Sequence, residues 1–146
     1  MSIIEISTDT SRLDVPAIHA FLTQSYWSLG IPRATVERAV RNSVCVGAYL
    51  DGAQIGFARV ITDTATFAYV SDVYVLEAHR GKGISFRMMS ALTALPELQG
   101  LRRMMLATRD AHGLYAKFGF KPLAAPDRFM ECHAPNVYQP AVRSEG

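Results

Sequence analysis

The densest run of residues able to do chemistry is Arg80-Gly81-Lys82-Gly83-Ile84-Ser85, which follows the β-rich stretch ending Val73-Tyr74-Val75. A strand feeding a glycine-rich turn that opens a helix leaves backbone N–H groups unpaired and pointing one way, and the helix dipole adds partial positive charge. Arg80 and Lys82 add formal charge, and the two glycines let a ligand approach the backbone with no Cβ in the way. By its chemistry this is a pyrophosphate cradle. It lacks the third glycine of the dinucleotide fingerprint and the GxxxxGK[ST] spacing of a triphosphate-binding loop. Taken alone, the same pattern also describes an arginine-rich helix entry whose glycines serve close packing. A second candidate is the pair Tyr26-Trp27, ahead of the chain breakers Gly30 and Pro32. Large amphipathic rings on a connecting segment suit ligand binding, and they would equally serve to close a core over a sheet edge.

Other chemistries find little support. Cys45 and Cys132 form no CxxC, and His19, His79, His112 and His133 have no partner at metal-ligand spacing, so no metal is expected. His79 and His112 read as surface histidines, and Met88-Met89 with Met104-Met105 as adaptable core filler. The chain has 146 residues, of which 49% are hydrophobic and 19% charged, with a net charge of +2. That composition excludes disorder and suits one domain with a sizeable core. No apolar run reaches the ~18 residues of a membrane span, and the N-terminus does not resemble a secretory leader. A reduced, cytoplasmic protein is the expectation. Residues 1–73 carry five basic against seven acidic side chains, and residues 74–146 carry ten against six. This asymmetry suits a phosphate-bearing ligand on the second half, or ordinary surface variation. No basic stripe with interleaved aromatics argues for nucleic acid, and Arg102-Arg103 reads as a solvated pair.

The elements that must position these residues follow from pattern. Ile3-Ile4-Glu5-Ile6 reads as a strand, and Asp14-Val15-Pro16 opens a helix running to about Ser25. A second helix covers about Arg33 to Arg41, with Val36 and Val40 four apart. Val44–Leu50 and Ala53–Ile61 flank Asp51-Gly52, a strong hairpin signal. Thr66–Val75 is a further strand. Ile84, Met88, Leu92 and Leu95 form one helical stripe that Pro96 ends, and Met104–Thr108 is a fifth strand. Asp110 is placed as the N-cap of a short helix in which Ala111, Leu114 and Phe118 share a face, with Gly119 at its C-terminal stop. Phe120–Leu123 and Arg128–His133 read as a closing strand pair. The order is β-α-α-β-β-β-α-β-α-β-β: a mixed, mostly antiparallel sheet of six to seven strands with helices on both faces, an α+β (α/β three-layer) domain.

The segment Val73 to Ser85 resembles the acyl-coenzyme A motif of the GNAT superfamily of N-acetyltransferases, [QR]-x-x-G-x-[GA] after a strand. Arg80 and Gly83 fill its positions, and Ser85 stands where Gly or Ala is usual. Gly47–Ile61 is similar to the family's central hairpin, and Thr108–Phe120 to its cofactor-side helix ending in Tyr-x-x-x-Gly-Phe. The likeness covers about residues 44–123, with the acyl-CoA motif at 73–95 and the second cofactor-side helix at 110–119.

The resemblance implies a single N-acetyltransferase domain over residues 1–146, moving acetyl from acetyl-CoA to a primary amine by direct attack, without metal or covalent intermediate. It implies that the main chain of Val73, Tyr74 and Val75 pairs with the pantetheine arm, and that a backbone N–H there polarises the thioester carbonyl. Arg80, Gly81, Lys82, Gly83, Ile84, Ser85 and Phe86 would hold the pyrophosphate. Tyr115 matches the tyrosine that protonates the departing thiolate; on the residues alone it reads as a core-edge aromatic. Asp72 is the carboxylate nearest the base position, as base or as a site for a cationic acceptor, and Ser71 stands where one branch keeps a Glu. Thr108 replaces a frequent Asn. Tyr26 and Trp27 would shape the acceptor site, for a small-molecule or peptide amine. The alternative is a non-catalytic acyl-CoA-binding or sensing domain acting through a protein partner. The resemblance calls for neither nucleic acid nor membrane, and leaves a homodimer open.

Overall fold

The computed structural model describes residues 3–139. One five-stranded sheet carries the architecture, in the spatial order β1 to β5 (β1, Ile4–Ser7; β2, Val44–Leu50; β3, Ala53–Thr62; β4, Phe67–Val75; β5, Arg103–Leu106). The first four pair antiparallel, and β5 lies parallel to β4. The β2–β3 hairpin turns on Asp51 and Gly52, whose φ values of 51° and 83° are the two positive angles a two-residue turn of this hand requires.

Helices cover both faces. On one face lies α3 (Ile84–Thr93), which buries Ile84, Met88, Met89 and Leu92 against Val46, Ala58 and Val60. On the other, α1 (Val15–Leu22) and α2 (Arg33–Arg41) bring Ile18, Leu22 and Val36 onto Cys45, Phe57 and Tyr74. A fourth helix, α4 (His112–Ala116), follows β5. The side-chain alternation of β2, with Val46 and Ala48 in one core and Cys45 in the other, is the period of two that half-buried strands show.

Four expectations need correction. The sheet has five strands among the described residues, not six to seven, and the order after α4 holds no further strand. Phe120–Leu123 and Arg128–His133 do not pair. Pro122 supplies no backbone N–H for a ladder in the first segment, and a 3₁₀ turn at Pro126–Arg128 takes up the start of the second. Helix α1 stops at Leu22 rather than Ser25, where the Ser25 hydroxyl donates to the Leu22 carbonyl at 2.7 Å and ends the ladder. Asp110 does not cap α4: Ala111 holds that position, and its N–H donates to Thr108 Oγ1 at 3.0 Å.

Candidate functional site

The site begins with an irregularity in β4. Arg59 pairs with Asp72 while Val60 pairs with Val70, so Ser71 is one residue too many on β4. Such a bulge reverses the alternation that follows it. Ala68 and Val70 face the α3 core, and after Ser71 it is Val73 and Val75 that do so. Asp72 and Tyr74 are thereby turned toward α1 and α2, and Tyr74 joins that core with its ring stacked on Phe21 at 3.8 Å. The same point ends the pairing with β5: the last pair is Val70 with Leu106, and β4 runs on to Val75. Among the described residues, β4 has no strand partner on that side from Ser71 onward.

Arg59 locks this bulge. Its Nε donates to Asp72 Oδ2 at 2.7 Å, Nη2 to Ser71 Oγ at 2.8 Å, and Nη1 to Ser43 Oγ at 3.1 Å. The other carboxylate oxygen, Oδ1, accepts from Trp27 Nε1 at 2.8 Å. Asp72 is only 3% exposed. Buried charge is tolerated when paired and hydrogen-bonded on each side. This network ties the α1–α2 connection, through Trp27, to the bulge. Tyr26 packs edge-on against Trp27 at 5.0 Å and is itself exposed.

Beyond β4 the chain turns through Glu77–His79 into the glycine loop. The Arg80 side chain folds back, its Nε donating to the Val75 carbonyl at 3.0 Å, which braces the loop against the strand end. Gly81 and Gly83 have φ of +81° and +73°, and a Cβ on either would meet nothing within 4 Å. Gly83 is the N-cap of α3 and supplies no side-chain bond, so the N–H groups of the first turn stay open. Open donors, open space and an adjoining strand edge fit a pyrophosphate followed by an extended amide-bearing arm. Ile84 is 2% exposed, so its side chain belongs to the core.

Tyr115 is set in place by the way α4 ends. The Phe120 N–H donates to the Tyr115 carbonyl at 3.3 Å and the Gly119 N–H to the Ala116 carbonyl at 3.1 Å, with Gly119 at φ +89°. That pair of bonds is a Schellman stop, and its customary apolar contact is the edge-to-face packing of Phe120 on Tyr115, centroids 6.0 Å apart. The Tyr115 ring is 7% exposed. Burial, and then the nearby Tyr26 phenol, push its hydroxyl above the usual tyrosine range.

A cleft of about 1170 Å³ joins these parts. Of the residues expected from sequence, Tyr26, Trp27, Asp72, Val73, Tyr74, Val75, Arg80, Ser85 and Tyr115 line it together. Gly81, Lys82, Gly83, Ile84 and Phe86 are not among its lining residues, and Phe86 packs on Phe118 with Lys117 near its ring. Sequence reasoning missed Arg59, Arg109 and the stretch His133–Pro135, all of which line the cleft. Among the described residues, no group of three or more His, Cys, Asp or Glu is placed to hold a metal ion.

The profile of the acetyltransferase (GNAT) family matches residues 8–120. FG08082 of Gibberella zeae, an acetyltransferase by name, is 35% identical over 133 residues, spanning 77% of this chain and 75% of its own. A crystal structure from Xanthomonas campestris pv. campestris, assigned to the GNAT family, is 51% identical and superposes with a TM-score of 0.91 over 94% of this chain and 98% of that one. A structure from Clostridium acetobutylicum holding acetyl-CoA is 18% identical, with a TM-score of 0.65 over 91% and 96%, a likeness of fold.

Proposed function

This chain belongs to the GNAT acetyltransferase family, and on that premise we propose that it moves the acetyl group of acetyl-CoA to a primary amine as a single domain. The observation that carries the reading is the edge of β4 freed at the Ser71 bulge, which runs straight into the open N–H groups ahead of α3. A thioester lying along that edge would have its phosphates at Gly81–Phe86 and its acyl end beside Asp72 and Tyr115. The bound acetyl-CoA of the Clostridium acetobutylicum protein supports the choice of donor.

In this reading each residue has a separate task. Main-chain groups of Val73 to Val75 orient the pantetheine arm and polarise the thioester carbonyl, which assists attack by the amine. Tyr115 donates its proton to the departing thiolate sulfur. Its raised pKa keeps it protonated at neutral pH, so the proton is present when needed. Asp72 has an oxygen on Arg59 and an oxygen on Trp27, which makes it the anchor of the acceptor wall rather than the base. The amine proton then leaves through water in the cleft.

Calorimetric titration with acetyl-CoA, followed by thiol release against an amine panel, tests this. Binding with acceptor-dependent CoA release is expected. Absence of binding by folded protein sinks the reading, and tight binding without release for any amine favours a sensing domain.

A further inference from the structure

We propose that the acceptor is a small amine bearing a carboxylate close to its amino group, and that Arg109 holds that carboxylate; this rests on the transferase reading above. Arg109 lies between β5 and α4 and lines the cleft. Its guanidinium carbon sits 3.9 Å from the centroid of the Tyr26 ring, which belongs to the opposite wall, the α1–α2 connection. Stacking fixes the guanidinium plane and leaves its edge N–H donors free. Among the described residues Arg109 has neither an ion pair nor a side-chain hydrogen bond, and of the arginines lacking both it is the one that lines the cleft. A flat, pre-oriented fork of donors with nothing to bind suits a planar two-oxygen anion.

The charge balance of the cleft points the same way. Its lining carboxylates are Asp72 and Asp110. Asp72 is matched by Arg59 at 2.7 Å, and over the whole cleft three arginines, Arg59, Arg80 and Arg109, face these two carboxylates. Arg80 stands at the phosphate end. The acceptor end therefore carries no surplus negative charge with which to hold a polycation such as a polyamine or an aminoglycoside. Arg109 is also close to the reaction centre, because the ring on which it stacks is near enough to Tyr115 to perturb its phenol. His133, Pro135 and Tyr138 line the same cleft.

The test is an acceptor panel of free amino acids, the methyl ester of the best of them, spermidine and kanamycin, with thiol release as readout and acetyl-CoA affinity measured separately. A free acid should be the preferred acceptor, with kcat/KM roughly 10–100-fold above its ester, the usual worth of a charged hydrogen bond. Arg109→Ala should raise KM for the acid by a similar factor, bring acid and ester level, and leave acetyl-CoA affinity unchanged. Arg109→Lys, which keeps the charge and loses the fork, should fall between. Preference for spermidine or kanamycin overturns the inference, as does an Arg109→Ala variant that weakens acid and ester alike. Acetyl-CoA binding with no carboxylate-bearing amine accepted overturns this inference alone. Failure to bind acetyl-CoA removes the transferase reading itself.

Discussion

Two residues decide how the chemistry is divided. Tyr115 is buried against Phe120 and lines the cleft, so Tyr115→Phe removes the proposed acid while leaving the packing almost intact. Turnover should fall ~10²–10⁴-fold, the range for a positioned proton donor. Acetyl-CoA affinity and thermal midpoint should barely change, and a variant that lost stability but not rate would return Tyr115 to a packing role. Asp72 behaves differently, because Asp72→Asn leaves the Arg59 guanidinium partly buried without its counter-charge. Breaking such a pair costs on the order of 3–5 kcal/mol, so the thermal midpoint should drop by several degrees. With Trp27 loosened, acceptor KM should rise while kcat at saturation changes little. A base would give the opposite pattern: a kcat defect at neutral pH that high pH repairs. Measuring both constants from pH 7 to 9 separates the roles.

At the scale of elements, what the sequence made legible is what is local. Asp51-Gly52, the Ile84/Met88/Leu92 stripe and Gly119 each signal through neighbours a few residues apart, and the hairpin, α3 and the end of α4 formed as their chemistry requires. The glycine loop was readable for the same reason. The bulge at Ser71 was not, because the adjacent polar pair Ser71-Asp72 breaks the alternation without saying which residue is extra, and only the pairing with β3 exposes it. The Arg59–Asp72–Trp27 network joins positions 13 and 45 residues apart, beyond any spacing rule. The misread closing strands show the converse: apolar residues around 120–133 suggested strands, but Pro122 interrupts the first and the 3₁₀ turn at Pro126–Arg128 takes the start of the second. The loop itself gives a sharp prediction. Gly83 is at φ +73° as the N-cap of α3, so Gly83→Val adds both left-handed strain and a branched side chain in the phosphate space. Calorimetry should find acetyl-CoA binding lost, with a folded circular-dichroism spectrum retained; unchanged affinity in folded protein would move the phosphates elsewhere.

For the whole molecule, the two cores on either side of the sheet share a feature that sets an alkaline limit. Cys45, Tyr74 and Tyr49 are buried, as is Tyr115, and burial raises the pKa of each; the Cys45 thiol is pushed up to about 12. All four are neutral when protonated, so folding favours the protonated form and the unfolded chain releases protons first. Stability is therefore complete below the unfolded values, 9.0 for the thiol and 10.0 for the phenols, and is lost as pH climbs from there toward the folded ones. Each proton released on unfolding steepens the decline by about 1.4 kcal/mol per pH unit. The thermal midpoint should hold level from pH 7 to 8.5 and fall between 9 and 12. Cys45→Ala should start lower, because it opens a small void, yet fall less steeply from pH 9 to 11. The rate has its own pH course. Free amine grows more abundant as pH rises, and Tyr115 keeps its proton above the usual tyrosine range. Activity should consequently climb through pH 8–9 and then collapse together with the near-ultraviolet circular-dichroism signal. A loss of rate centred well below that collapse, and abolished in Tyr115→Phe, would mean that the tyrosine ionises early and is no longer available as the acid.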